Sequence, residues 1–411
     1  MHESLISHSS HDHLHNDINS FVRLPSVFSP KMLEIFSTFR GFRRLMMIIL
    51  CVLCATKLST CIYAYAPLSL PLSEERQQEK APGISNDIGN KDRPCAFNFY
   101  GLPRAFKHVV LPSIETNVII PNSRYDCDYF VFAWNVTHED PSRSGSGGPV
   151  MPEDVFLLRD TVHMIARRAG RPQLPHVGFI IQSDADFEQN RSALLEAIRK
   201  EDTKRERNPY IWRRDGYTVG TNVKVMQAWH SISTVWELMK EYASSHAIKY
   251  KRVAMMRIDA MYITPIDIFG TAPEKYYDGF NNRSVVPGYA AYPVNDRLFY
   301  GPYEAAEIWA YGRFSRIDHY VHELRRPLHP ERFLATEIFP AIRELNISID
   351  EDPHLCFLRA RADGSVWDDC PERLVENLVR ELSTLNCSSE TSFKWSRPKA
   401  EENVTRSLHL C

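Results

Sequence analysis

The chain has 411 residues, 44% of them apolar and 24% charged, with a formal net charge of −2. Neither sign is in excess, which argues against a nucleic-acid-binding surface and against the acidic, weakly apolar composition of a disordered protein. Such a chain can bury a large core as one domain or two joined lobes.

Residues 1–44 are polar and carry His2, His8, His11, His13 and His15. Histidine at that density can bind metal, but a segment with no apolar period reads as a disordered cytoplasmic tail. Residues 45–66, LMMIILCVLCATKLSTCIYAYA, form the single long apolar run. At about 1.5 Å per residue it is long enough to cross a roughly 30 Å hydrocarbon layer. Arg40, Arg43 and Arg44 precede it, and the next basic residue after Lys57 is Arg76. The positive-inside bias therefore predicts a transmembrane signal anchor of type II topology. Lys57 costs about 2.5–3.5 kcal/mol near mid-membrane, less if it snorkels. A cleaved signal peptide is the rival reading, because the uninterrupted core is short and Ala64-Tyr65-Ala66 has the form of a cleavage site. The long preceding tail and Pro67 speak against it; initiation at Met46 would speak for it.

Residues 67–93 are rich in Pro, Ser, Glu and Gln, lack aromatics and read as a stem. A luminal α/β body is expected over 94–385 and a polar C-terminal tail over 386–411. All six Asn-x-Ser/Thr sequons, Asn135, Asn190, Asn282, Asn346, Asn386 and Asn403, lie beyond the apolar run. So do six cysteines, Cys95, Cys127, Cys356, Cys370, Cys387 and Cys411, none of them at C-x2-C spacing. Both features predict a glycosylated, disulfide-bonded body in the lumen of the Golgi or endoplasmic reticulum. The pairing is open, and buried free thiols are the alternative.

Within the body, strand and helix signals alternate. CAFNFYG breaks at Gly101, a helical stretch follows through Val109, Val110 and Ile114, and CDYFVFAW is a second strand. The tract SRSGSGGP is a loop without the Gly-Lys-Ser/Thr ending of a phosphate-binding P-loop. Next come a helix at about 152–169, the strand HVGFIIQS and a helix at about 184–200. A long helix at about 220–246 carries Val225, Trp229, Ile232, Trp236 and Met239 at spacings of three and four, which marks a core face. The strands RVAMMRID, SVVPGYAAY and DRLFYG follow, then helices from about Tyr303 and Glu331, and a closing strand CFLRARADG. This order predicts an α/β sandwich with a mostly parallel central sheet.

In open α/β sheets ligands bind beyond the carboxyl ends of the strands. There the apolar run Val253–Met256 releases Arg257-Ile258-Asp259, so Asp259 is the first candidate to meet a ligand or its divalent cation. The plain alternative is a helix cap or a partner of Arg257. Because Asn is isosteric with Asp, Asp259→Asn is expected to leave the fold nearly intact.

The succession Gly101-Leu102-Pro103-Arg104, a long Tyr/Lys-flanked helix, Arg257-x-Asp259, Asn295-Asp296-Arg297 before Tyr300-Gly301, then His329-Pro330-Glu331 spans about 95–365. It resembles uncharacterised eukaryotic type II membrane glycosyltransferase-like proteins, which are similar to bacterial polysaccharide-synthesis transferases with an R-x-D strand end and a later N-D-R/G element. The resemblance implies a GT-A-like fold preceded by one transmembrane helix. It also implies a donor site including Arg104, Arg257, Asp259, Asn295 and Arg297, with Asp259 as metal ligand. Manganese or magnesium would be the divalent cofactor. Met261 stands where a strict Asp-x-Asp motif has its second carboxylate, which leaves metal dependence open. Arg104, Lys224 or Arg257 are alternative partners for the diphosphate.

Transfer from a nucleotide sugar needs charge stabilisation on the departing diphosphate and, for inversion, a base for the acceptor hydroxyl. Asp296 and Glu331 are the candidate catalytic carboxylates; a turn-forming Asn-Asp pair and a first-turn helix residue are their bland readings. The expected function is a membrane-anchored glycosyltransferase acting on a glycan or glycoprotein acceptor. A non-catalytic luminal or surface carbohydrate-binding protein is the alternative.

Overall fold

The computed structural model describes residues 91–141, 147–203, 206–214, 216–270, 282–289, 291–368, 370, 392–396 and 405–409. The residues expected to form a cytoplasmic tail and a membrane anchor, and most of those expected to form a stem, lie outside the described residues, as do Asn386, Asn403, Cys387 and Cys411. No helix among the described residues is long and apolar enough to cross a membrane.

The apolar strand runs assemble into a seven-stranded sheet. In chain order its strands are β1 (Lys91–Gly101), β2 (Cys127–Trp134), β3 (Val177–Gln182), β4 (Ile248–Arg257), then Arg283–Pro287, Leu298–Pro302 and Ser348–Asp352. The lateral order is Ser348–Asp352, Arg283–Pro287, Leu298–Pro302, β4, β1, β2, β3. Leu298–Pro302 runs antiparallel to both its neighbours, and the other pairings are parallel. Parallel strands are covered on both faces, which is why β2, CDYFVFAW, is buried at every position.

Side-chain alternation along β1 divides the core in two. Phe97 and Phe99 join a cluster with the helical stretch 106–122, which we call α1, and with α2 (Leu157–Arg168). Pro112 and Pro121 have no N–H to donate, and at each of them α1 passes from wide π-type turns to ordinary α turns. Ala96 and Tyr100 face the other cluster, which holds Trp229, Ile232, Trp236 and Met239. These lie on the long helix Val219–Ser245, capped by Thr218, whose hydroxyl accepts from Thr221 N. Trp309 from Tyr303–Ser315 and Phe333 and Ile338 from the helical stretch 330–344 complete that layer.

A second sheet, in the order Thr405–His409, Ser392–Ser396, Val366–Asp368, Phe357–Ala360, Ala260–Tyr262, takes up the chain as it leaves β4. The region read as a polar tail beyond 385 thus contributes two strands. Disulfides join Cys95 to Cys127 across β1 and β2, and Cys356 to Cys370 beside the second sheet.

The α/β class with a mostly parallel sheet agrees with the sequence reading, as do most helix positions. SVVPGYAAY forms a strand only to Pro287, and the edge strand Ser348–Asp352 gave no apolar signal. Gly101 ends β1 at φ +123, a conformation L side chains rarely adopt, consistent with the turn expected there.

Gly301 has a different reason. A Cβ at that position would meet Ser284 Oγ at 2.3 Å and Ser284 Cβ at 2.9 Å on the neighbouring strand. Gly301→Ala should therefore destabilise the domain by about 1–3 kcal/mol, the usual cost of overpacking. Gly220→Ala, whose added Cβ would meet Thr218 Oγ1 at an ordinary 3.6 Å, should be neutral or stabilising by up to about 1 kcal/mol. Denaturant midpoints of the two variants provide the comparison.

Candidate functional site

The carboxyl ends of β1 and β4 lie side by side, with Tyr100 opposite Arg257. Beyond them the chain crosses to the second sheet through Ile258 and Asp259. This crossing is pinned from both sides: Ile258 N donates to Tyr100 O at 3.0 Å, and Ala360 N donates to Asp259 O at 2.8 Å. Asp259 is thereby fixed between two sheets and is 1% exposed.

Its carboxylate is fully engaged. Arg257 Nε donates to Oδ1 and Nη2 to Oδ2, each at 2.7 Å, while Arg104 Nη1 donates to Oδ2 at 2.6 Å. Arg104 turns its other edge to Glu139, with Nε and Nη2 donating at 2.6 and 2.5 Å. Burial alone would raise the Asp259 carboxyl, but Arg257, followed by Arg104 and Arg361, holds it well below the usual carboxylate range.

Arg361 is the third cation here. It is 2% exposed, its guanidinium lies 4.3 Å from the Trp367 ring centre, and its Nε and Nη2 are buried without a hydrogen-bond partner among the described residues. Burial draws its pKa down to about 9. It remains charged at neutral pH, and a buried charge without hydrogen bonds is costly unless an anion meets it. Next to it, a cleft of about 420 Å³ is lined by Pro103, Lys107, His108 and the turn Ala362–Gly364, among others.

On the other side of Tyr100 lies the segment Asn295-Asp296-Arg297. Asn295 is buried, accepting from Arg297 N at 2.9 Å and donating to Tyr289 O at 2.8 Å, so its side chain shapes the turn. The Arg297 carbonyl accepts from Tyr100 Oη at 3.3 Å. Asp296 is half-buried and makes no hydrogen bond or ion pair with the described residues, yet its charge acts on Tyr100, Arg257 and the buried Arg313. Glu331 sits elsewhere, in the first turn of the stretch 330–344, with Oε2 3.2 Å from His329 Nδ1.

The structure therefore brings together Arg104, Arg257 and Asp259, sets Asp296 and the Arg297 backbone beside them, and gives Glu331 a separate neighbourhood. Lys224 is exposed on the long helix. Glu139 and Arg361 belong to the cluster and were missed, since neither occurs in a motif and both arrive from distant parts of the chain.

The metal role expected of Asp259 does not fit this donor set. Divalent magnesium and manganese need open oxygen donors, and both Asp259 oxygens already face guanidinium groups. No group of three or more His, Cys, Asp or Glu residues able to hold a metal occurs among the described residues.

No family model matches the chain, and no curated protein matches it. Among solved structures, mouse xyloside xylosyltransferase 1 is similar at 13% identity and a TM-score of 0.31, over 63% of this chain and 84% of that one. A nucleoside-diphosphate-sugar pyrophosphorylase from Vibrio cholerae is similar at 8% identity and a TM-score of 0.32, over 70% and 99%. Likenesses this distant carry no function across.

The clamp also reverses one expectation. Asp259→Asn keeps the shape but leaves the half-buried Arg257 without its counter-charge and Arg104 with Glu139 alone. It should cost about 3–5 kcal/mol, lowering the thermal midpoint by on the order of 10 °C. The folded carboxyl titrates below its unfolded value of about 3.9, so its stabilisation is complete above that value and is lost as pH falls through the lower folded value. The difference between wild type and variant should therefore be constant from about pH 5 to pH 8 and shrink in stronger acid.

Proposed function

We propose that the protein is a nucleotide-sugar-dependent glycosyltransferase whose arginine cluster neutralises the departing diphosphate. The observation that carries this reading is a buried carboxylate aligning Arg104 and Arg257, with a further guanidinium, Arg361, whose Nε and Nη2 are buried without a hydrogen-bond partner among the described residues, at the carboxyl edge of a parallel sheet. Asp259 and Glu139 face three guanidiniums here, with Asp296 as a third carboxylate alongside. Ligands of α/β sheets bind at this edge, and guanidinium forks match phosphate oxygens. The motif resemblance and the single antiparallel strand inserted in the parallel sheet support a GT-A-like assignment.

In the proposed reaction the acceptor hydroxyl attacks the anomeric carbon, the bond from that carbon to the diphosphate oxygen breaks, and the electron pair leaves on the diphosphate. Arg257 and Arg361 stabilise that growing charge, while Arg104 and Asp259 hold the cluster in place. Preorganised cations of this kind contribute most where water is excluded. Asp296, with no hydrogen-bond or ion-pair partner among the described residues and close enough to act on Arg257, takes the acceptor proton as general base. No step needs a divalent cation.

Titration calorimetry of the purified full-length protein with a panel of nucleoside diphosphates, in chelator and in manganese, tests the donor site. One nucleotide should bind in chelator, with affinity reduced at least about tenfold by Arg257→Met or Arg361→Met, since each removes charge-assisted hydrogen bonds. Asp296→Asn should retain that binding and lower transfer by about 10²–10⁴-fold. Binding only in manganese would overturn the metal-free assignment. Nucleotide-sugar binding without turnover would leave the carbohydrate-binding alternative.

We place the body in the secretory lumen behind a type II anchor, a reading supported by two disulfides and by the exposure of Asn135, Asn190, Asn282 and Asn346. Endoglycosidase should increase the gel mobility of the protein expressed in a eukaryotic cell; an unchanged band would refute a glycosylated body.

A further inference from the structure

A second cleft, of about 520 Å³, opens beside the connection that carries Asp296. Its walls come from four stretches, one of which supplies Tyr320, Arg326 and Pro327. Trp212 follows Ile211, which forms an isolated bridge to Leu328; Tyr292 and Pro293 precede Asp296; Arg332 and Thr336 lie on the stretch 330–344. The volume lies within the range typical of small-molecule sites.

The lining combines aromatic faces with positive charge. Arg332 lies 4.8 Å from the Trp212 ring centre and 4.9 Å from that of Tyr292, and its Nη2 donates to Tyr292 Oη at 3.2 Å. Its Nε is buried with no hydrogen-bond partner among the described residues. Arg326, on the same wall, donates from Nη1 to Thr336 Oγ1 at 3.0 Å. No Asp or Glu among the described residues lines the cleft. The acidic groups on the adjoining helix face histidines instead, Glu331 at 3.2 Å from His329 and Glu337 at 3.1 Å from His319. Tyr292 packs against Arg332 and, at 5.4 Å between ring centres, against His329, and is still 49% exposed.

From this we infer that the cleft binds a sugar unit carrying a carboxylate or a sulfate ester. The apolar face of a pyranose stacks on a flat ring such as Tyr292, and Arg332, held against two rings, presents a fixed fork to the anionic substituent. Unlike the arginines around Asp259, neither Arg326 nor Arg332 forms an ion pair with a carboxylate among the described residues. Its assignment as the acceptor subsite rests on the transferase reading, because Tyr292 and Asp296 share one connection; its preference for an acidic sugar does not.

The test is binding of methyl β-glucuronide, a 6-sulfated methyl glucoside and unmodified methyl glucoside to the purified full-length protein, measured by ligand-observed NMR. At least one acidic probe should bind about tenfold or more tightly than the neutral one, as expected for added charge-assisted hydrogen bonds, and which of the two does so identifies the substituent. Arg332→Met should remove that preference while nucleotide affinity stays unchanged. Equal binding of acidic and neutral probes, no binding of either acidic probe, displacement of the acidic probe by nucleotide, or a preference that survives Arg332→Met would overturn the inference. If Arg332→Met does not fold, Arg326→Gln carries the comparison, and an undiminished preference there overturns it. Acidic-sugar binding without any nucleotide binding would leave the cleft standing and remove the transferase reading.

Discussion

The organisation of this edge of the molecule follows from the burial of one charge. Asp259 lies between two sheets, and a carboxylate so far removed from water persists only if cations meet it with hydrogen bonds. Arg257, two residues away, supplies two bonds, and Arg104, from the turn after β1, supplies a third. Each arginine is thereby held in one orientation. Burial of the anion thus orders two cations whose long side chains would otherwise sample many rotamers.

A purely structural ion cluster would close on itself. Here it does not, because Arg361 enters the same neighbourhood with two buried nitrogens lacking acceptors among the described residues. Its retention against the cost of desolvation is the physical basis for assigning the cluster to an anionic ligand. The geometry also accounts for the missing second carboxylate at Met261. Met261 belongs to Ala260–Tyr262, which pairs with Phe357–Ala360, and is 5% exposed, so it serves the core between the sheets.

Much of the fold could be read from the sequence because its signals are local. The apolar run in CDYFVFAW, the three-and-four spacing of Trp229, Ile232, Trp236 and Met239, and the strand ending at Arg257 each fit within a few turns or residues. The edge strand Ser348–Asp352 escaped notice because SIDED is polar; one flank of an edge strand is open to water and needs no apolar pattern. The strand assigned to SVVPGYAAY overran because an apolar run does not reveal where ladder partners end, and pairing here stops at Pro287. The second sheet is built from short strands separated by long stretches of chain, an assembly no window of sequence contains. The candidate site divides in the same way. Arg257-x-Asp259 was visible as a strand end, and Asp296 as part of a motif. Glu139 comes from a two-residue strand and Arg361 from a turn between short strands, and only the tertiary fold brings them to Asp259.

The claim on which this account turns is that Asp259 and Arg257 act as one unit. A double-mutant cycle on denaturant stability, comparing Asp259→Asn, Arg257→Met and the pair, measures that coupling directly. The account predicts that the double variant is less destabilised than the sum of the single variants by at least about 1 kcal/mol, because removing both partners leaves fewer charges buried and unmet. Single costs that add to within about 0.5 kcal/mol would contradict it.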